Sequence, residues 1–327
     1  MDYINYVKQY PMMGVIGYGG GATGLGWHSG AGPTRAVWWT GNGDYGNNQY
    51  VDIQTTGNAT VFGSRGQVKR RCGATSNGSR GVAGGGYNVD SMSYITISTA
   101  ADASSFGSLV YTRKLMATAG DQYNESTRGV WAGSDDQPSA SWSTIDYVTI
   151  SNTGNASDFG DLDVPRHAFK GCASSAGRGV FMGGYGPGGG GAPHYAYNTI
   201  DYITLASTGN SSSFGNLYTQ QAYTAVATNG SRGIKAGGNW QSGNYTNVIE
   251  YVTIANTGNS TDFGDMASSY GMFCGAGDET RCVYGGGFDD TAYKDEIFYI
   301  TAASTGNATD FGDLVTSLGF LGCCGGS

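Results

Sequence analysis

Side chains able to do chemistry are few in this chain, and most come in copies. The pairs Asp158/Asp161, Asp262/Asp265 and Asp310/Asp313 have spacings compatible with calcium ligation or acid/base work. Each pair occupies the same place in a recurring motif, whereas a catalytic centre is single. They read instead as turn and outer-strand acids that keep exposed strands from pairing with neighbours. There are three histidines, His28, His167 and His194, and no Cys or His spacing matches a zinc site. The run Gly188-Gly189-Gly190-Gly191 is not followed by a helical pattern, so it is not a phosphate loop. The expectation is a protein with no catalytic residue, no metal and no cofactor.

Six cysteines in 327 residues do not make a disulfide framework. Cys72, Cys172, Cys274 and Cys323 each fall shortly before a repeated Arg position. They read as one packing slot for a small apolar side chain, filled by Ala119 in another copy.

The elements that carry these residues repeat six times. The clearest copy is Ile145-Asp146-Tyr147-Val148-Thr149-Ile150, followed by Thr153-Gly154-Asn155-Ala156-Ser157-Asp158-Phe159-Gly160-Asp161-Leu162. Phe-Gly recurs at Phe62, Phe106, Phe159, Phe214, Phe263 and Phe311, at intervals of 44, 53, 55, 49 and 48 residues. An Arg opening an apolar strand recurs at Arg35, Arg80, Arg128, Arg178, Arg232 and Arg281. A period near fifty is a repeat-architecture signature. The Arg positions read as a ring just after a turn, bonded locally to turn carbonyls or, alternatively, free to dock an anion or partner.

One repeat reads as four short strands. His167 to Ala173 is an apolar run, and Arg178 to Gly184 a strand ending in glycines. Thr199 to Leu205 is rich in β-branched and aromatic residues, and Ser212 to Leu217 is a shorter fourth strand. The third strand is apolar on both faces, so each sheet must be covered on both sides. Radial stacking of four-stranded blades does this, with the Phe of Phe-Gly wedged between blades. Thr208-Gly209-Asn210 supplies the tight turn between the third and fourth strands. The first copy, from Thr34, lacks a first strand, and the last, Leu318 to Cys324, has a first strand and nothing after it. Joined in one blade, residues 315–324 against 35–41, they close the ring. The predicted architecture is all-β: a six-bladed β-propeller over residues 34–327, four antiparallel strands per blade, closed by the C-terminal strand.

The order of strands, with Arg-Gly and Gly-Gly flanking the second, resembles kelch-type propellers. Here Phe stands at the usual Trp position, and the long Pro-containing linker is missing. The motif Ile-Asp-Tyr-Val-Thr-Ile followed by Thr-Gly-Asn and Asp-Phe-Gly-Asp-Leu is similar to repeats in virion structural proteins of tailed bacteriophages, notably those of marine cyanobacteria. That resemblance implies a virion part, present in several copies beside other virion proteins.

Composition agrees with a non-enzymatic assembly or adhesion protein. Charged residues make up 13% of the chain, against about 25% in ordinary soluble domains. Glycine accounts for 58 residues. A net charge of −8, with basic residues scattered apart from Lys69-Arg70-Arg71 and Arg113-Lys114, disfavours nucleic acid as partner. No apolar run reaches membrane-spanning length, and the N-terminus lacks the pattern of a secretory signal.

Variation concentrates in the loops between second and third strands: 41–49, 87–91, 134–143, 185–198, 239–246 and 288–294. In antiparallel blades these share one face. They carry Tyr45, Tyr87, Trp142, Tyr185, Tyr195, Trp240, Tyr245, Phe288 and Tyr293 among Asn, Asp and Gly. Aromatic plates beside polar groups suit a host-surface glycan or a protein receptor; the alternative is that the rings pin their own loops. Residues 1–33 lie outside the repeat as a Gly-rich arm. Met12, Met13, Ile16 and Trp27 are its candidate anchor onto a neighbouring protein, with folding back onto the blades as the alternative. The expected role is a tail, fibre or capsid-surface component of a phage particle; the alternative is a cell-encoded extracellular sugar-binding propeller.

Overall fold

The computed structural model describes residues 34–39, 41, 45–120, 122, 128–135, 142–173, 177–186, 195–239 and 244–327. Residues 1–33, with the anchor candidates Met12, Met13, Ile16 and Trp27, lie outside that set, as does Trp240.

The described residues form a six-bladed β-propeller of four-stranded antiparallel sheets. Blade 4 shows the pattern: Lys170–Ala173, Arg178–Met182, Thr199–Thr204 and Ser212–Asn216, paired in that order from the axis outward. The blade that closes the ring takes its first strand from the other end of the chain. Gly322–Gly326 pairs antiparallel with Arg35–Trp39, from Arg35 opposite Gly326 to Trp39 opposite Gly322. The closing strand therefore begins later than residues 315–324. Leu318 to Leu321 serve instead as the approach to the axis, just as His167 to Phe169 precede the first strand of blade 4.

The Phe-Gly motif is a β-bulge. In all six blades the register between third and fourth strands skips the Phe, so that Ile200 pairs with Gly215 and Asp201 with Ser213. A bulge re-aims the residues around it. Phe214 turns inward, and Ile200 and Asp201 are buried in succession. Each Phe packs into the next blade: Phe159 shares a cluster with Phe169, Phe181, Ile203 and Leu205 of blade 4. The following Gly has φ between +145° and +159°, and a Cβ on Gly107 would lie 2.1 Å from the Gly154 carbonyl oxygen of the next blade. Only glycine permits that approach.

That neighbouring segment is the Thr-Gly-Asn turn, which staples adjacent blades. The Gly209 N–H donates to the Phe159 carbonyl at 2.8 Å, and the Asp161 N–H donates to Asn210 Oδ1 at 3.0 Å. Asn58, Asn155, Asn259 and Asn307 accept in the same way, at 3.0–3.1 Å, and Asp102 replaces Asn in blade 2. The turn recurs because its Asn, or Asp in blade 2, bonds the outer strand of another blade.

The Arg ring is also an inter-blade device, rather than a set of local turn contacts. Arg232 donates to the Ala302 and Ala303 carbonyls of the next blade at 3.1 and 2.9 Å. Arg281 reaches the Ile53 and Gln54 carbonyls at 3.4 and 3.0 Å, which completes the circle. Each guanidinium also lies over the third-strand Tyr of its own blade, 4.5–4.7 Å from the ring centre. That Tyr meets the Phe of Phe-Gly edge-on. A cation–π contact contributes about 0.5–1 kcal/mol at exposed sites, and six copies add to the closure of the ring.

All six cysteines are buried free thiols. Four of them do not share a slot. Counted from the residue that turns into each first strand (Arg71, Ala168, Met272 and Phe320), Cys72, Cys172, Cys274 and Cys323 come one, four, two and three positions later. Proximity to the Arg in sequence concealed different places on the inner strand. Burial pushes Cys72, Cys172 and Cys324 up to about 12, so these thiols stay protonated and inert.

Candidate functional site

Antiparallel connectivity gives the propeller two unlike faces. The turns joining first to second and third to fourth strands lie on one, the turn face, together with the Arg ring and the Thr-Gly-Asn staples. The loops between second and third strands lie on the other, the loop face, together with the connections from one blade to the next.

A belt of backbone hydrogen bonds circles the axis near the loop face. Arg71, Leu115, Ala168, Tyr223, Met272 and Phe320, one per blade, all have φ between +53° and +69°. Each N–H donates to the carbonyl of the preceding member, and Arg71 donates to Phe320, at 2.6–3.0 Å. A positive φ is costly for a non-glycine residue, and the closed belt holds six of them. Their side chains and the residues that lead into the inner strands line a small opening on the axis. Deeper in, Lys170 Nζ donates to the Leu321 carbonyl at 3.1 Å across the axis.

The loop face divides the predicted binding residues into separate groups. Trp142, His167, Tyr185 and Tyr223 form a chain of ring contacts, with centres 6.0, 5.6 and 6.5 Å apart, that runs toward Phe320 and the belt. Tyr245, Phe288 and Tyr293 form another, at 6.3 and 5.2 Å. Tyr45 packs on the cluster between blades 6 and 1. These rings are half-buried and hold their loops in place. Tyr87 and Tyr195 are the two that present themselves, at 40% and 42% exposure. Tyr87 lies under Arg70 and Lys114, and Tyr195 stands against Tyr197. The structure thus does not gather the eight described members of this set into one site; Trp240 lies outside the described residues.

A site the loop pattern missed lies on the connection from blade 4 to blade 5. Asn198, Tyr218, Thr219, Gln220, Gln221, Tyr245, Thr246 and Val248 line an open groove of about 1100 Å³. Among the described residues no ionised side chain lines it. Tyr218 is 86% exposed, the most exposed large apolar side chain among the described residues. Equivalent positions hold Gly66, Val110, Asp163, Ala267 and Val315. The structural task of this position belongs to the backbone. The Tyr218 N–H donates to Glu250 Oε2 at 2.9 Å, as Val110 does to Asp146 and Val315 to Gln49. The signal was available in the sequence as the one aromatic in a slot that elsewhere holds Gly, Val, Asp or Ala.

Beneath the loop face, three buried ion pairs join segments within blades. Arg113 meets Asp146 and Arg166 meets Asp201, each at 2.8 Å, and Lys235 meets Glu250 at 3.4 Å, all essentially without exposure. Burial pushes Asp146 and Asp201 up and Arg113 and Lys235 down, opposed in each case by the partner charge. Asp146, Asp201 and Glu250 occupy one repeat position, filled by Phe298 in blade 6. Arg113 and Arg166 occupy another, filled by Tyr270 in blade 6 and Gln221 in blade 5. In blade 5 the cation comes instead from the second strand, as Lys235, which leaves Gln221 without that role.

Among the described residues no group of three or more His, Cys, Asp or Glu converges as a metal site would require. No helix among them is long and apolar enough to cross a membrane. No protein-family model matches the chain and no curated protein matches it, so the fold and the site geometry carry the functional reading.

Proposed function

We propose that this propeller is a non-enzymatic recognition module whose loop face binds a surface glycan or receptor, and that it serves as a tail, fibre or capsid-surface component of a tailed-phage particle. The observation that carries the reading is the contrast between the faces. On the turn face every blade repeats the Arg contact and five repeat the Thr-Gly-Asn contact, with Asp102 in its place in blade 2, and these contacts are consumed in closing the ring. On the loop face the blades differ, and Tyr87, Tyr195 and Tyr218 present their rings to solvent. A rigid scaffold with variation confined to one face is the usual arrangement for recognition.

The particle assignment rests on the similarity of the repeat to phage virion proteins. In this reading the segment 1–33 docks against a neighbouring virion protein, and its Met12, Met13, Ile16 and Trp27 supply the apolar surface. Immunogold labelling of purified particles with antibody against the chain tests the assignment. Regular decoration supports it; unlabelled particles, with the protein found outside cells, indicate the cell-encoded sugar-binding propeller instead.

A further inference from the structure

We infer that the groove between blades 4 and 5 is a binding site for a neutral saccharide, with Tyr218 as the stacking platform. The inference deepens the proposed recognition function and rests on the loop face being the binding face.

Three independent features converge on this groove. Tyr218 is the one aromatic at a repeat position that holds Gly66, Val110, Asp163, Ala267 and Val315 in the other copies, and at 86% it is far more exposed than the valines, at 43% and 45%. Its backbone already makes the inter-blade bonds, to Glu250 Oε2 and to Ser260 Oγ at 3.0 Å. The ring contributes no packing that would explain 86% exposure, and an exposed aromatic face in a groove suits the C–H face of a pyranose.

The second feature is Gln221. It is 3% exposed, and its backbone is tied by bonds to Tyr197 and Gly184 at 3.0 and 2.8 Å. Its Nε2 donates to Thr219 Oγ1 at 2.9 Å, while its Oε1 has no hydrogen-bond partner among the described residues. Buried amide oxygens are rarely left so. The equivalent residue in blades 3 and 4 is an Arg that neutralises a buried acid. In blade 5, Lys235 performs that task, which frees this position for an uncharged amide.

The third feature is the chemistry of the lining. Asn198 and Gln220 offer amides above the buried Gln221, and Thr219, Thr246 and Tyr245 offer hydroxyls. Burial pushes the Tyr245 phenol up to about 12, so it remains a neutral donor and acceptor at physiological pH. A groove with fixed neutral donors and acceptors, one aromatic plate and no cation selects hydroxyls over carboxylates. The favoured ligand is a neutral hexose or N-acetylhexosamine unit rather than a uronic or sialic acid.

The test uses the whole chain on a panel of immobilised oligosaccharides: neutral hexose, N-acetylhexosamine, uronic-acid and sialylated trimers. Retention of a neutral trimer in preference to its carboxylated counterpart is expected. Tyr218→Ala should weaken that binding about ten-fold or more, equivalent to about 1.4 kcal/mol, while Tyr218→Phe retains it. Tyr218 is exposed, so both variants should melt as the parent does. Binding that survives Tyr218→Ala but fails in Tyr87→Ala or Tyr195→Ala overturns the groove and leaves the loop-face reading standing. Binding to bacterial envelope fractions with no trimer retained overturns the saccharide assignment alone. Preference for the carboxylated trimers overturns it as well.

Discussion

Blade 6 contains a natural replacement for the buried ion pair of blade 4, and this allows a sharp prediction. Arg166 and Asp201 correspond to Tyr270 and Phe298, whose rings lie 6.1 Å apart. The surroundings match: Phe169 corresponds to Phe273, and Phe181, opposite Asp201, corresponds to Tyr284, opposite Phe298. Arg166→Tyr leaves the Asp201 carboxylate buried without its cation, and Asp201→Phe leaves a buried guanidinium without its anion. Each should cost about 3–5 kcal/mol at neutral pH, or roughly 6–10 °C in melting midpoint at about 2 °C per kcal/mol. The double variant recreates the blade 6 solution. Exchange of a buried pair for apolar packing is often neutral or stabilising, so it should melt near the parent.

The pH dependence supplies a second readout from the same proteins. Burial already raises Asp201 above the ordinary 3.8, and the Arg166 charge restrains the rise. Without Arg166 it rises further. A carboxyl raised in the folded state favours folding most below its unfolded value and loses that contribution as pH climbs through the folded value. The Arg166→Tyr deficit should therefore shrink as pH falls from 8 toward about 4, where Asp201 takes up a proton. The Asp201→Phe deficit should not shrink over that window, because its unpaired guanidinium does not titrate there and the raised Asp201 carboxyl, which favours the fold on acidification, is present only in the parent. Circular dichroism melts of the four proteins across pH decide the matter. A double variant as unstable as the two losses added, or an Arg166→Tyr deficit that grows on acidification, refutes the reasoning.

Other consequences follow from the closure of the ring. Deletion of residues 322–327 removes the first strand of blade 1 and exposes the edge of Arg35–Trp39; cooperative thermal unfolding should disappear, whereas an unchanged melt would contradict ring closure. Arg232→Ala should cost about 1.5–3 kcal/mol through the lost charge-assisted bonds to Ala302 and Ala303, measured by urea unfolding. The six thiols should resist maleimide in native buffer and all react after denaturation, as read by mass spectrometry; rapid native labelling would contradict their burial.

The repeat made the architecture legible because Phe-Gly and Thr-Gly-Asn answer to backbone requirements that recur in every blade. Phe214 must bulge inward, Gly215 must admit the Gly258 carbonyl of the next blade, and neither tolerates substitution. What spacing could not reveal was that these contacts run between blades, since Arg232 meets Ala302 across 70 residues of sequence. The cysteines misled for a related reason. Cys72 and Cys274 stand at different distances before Arg80 and Arg281 across equal turns, and Cys172 precedes a longer turn, so nearness to an Arg does not name one place on the inner strand. The candidate site was harder still. Loop variation pointed to the face proposed for recognition, but Trp142, Tyr185 and Phe288 proved to be packed against neighbouring rings. Tyr218 escaped notice because it sits on a connection between blades, where its neighbours Leu217 and Gln221 serve the fold. Only the comparison of its slot across six copies separates it from them.

Blocking one face at a time tests most directly whether recognition occurs on the loop face. Because the native thiols are buried, a single surface cysteine can be capped selectively with a polyethylene glycol maleimide. Gln220→Cys places the cap beside the groove, and Thr208→Cys places it on a Thr-Gly-Asn turn of the opposite face; both positions are exposed. Binding of the capped proteins to bacterial envelope fractions and to the oligosaccharide panel should be lost with the cap at 220 and unchanged with the cap at 208. Loss with the cap at 208 and retention with the cap at 220 would place recognition on the turn face and contradict the account.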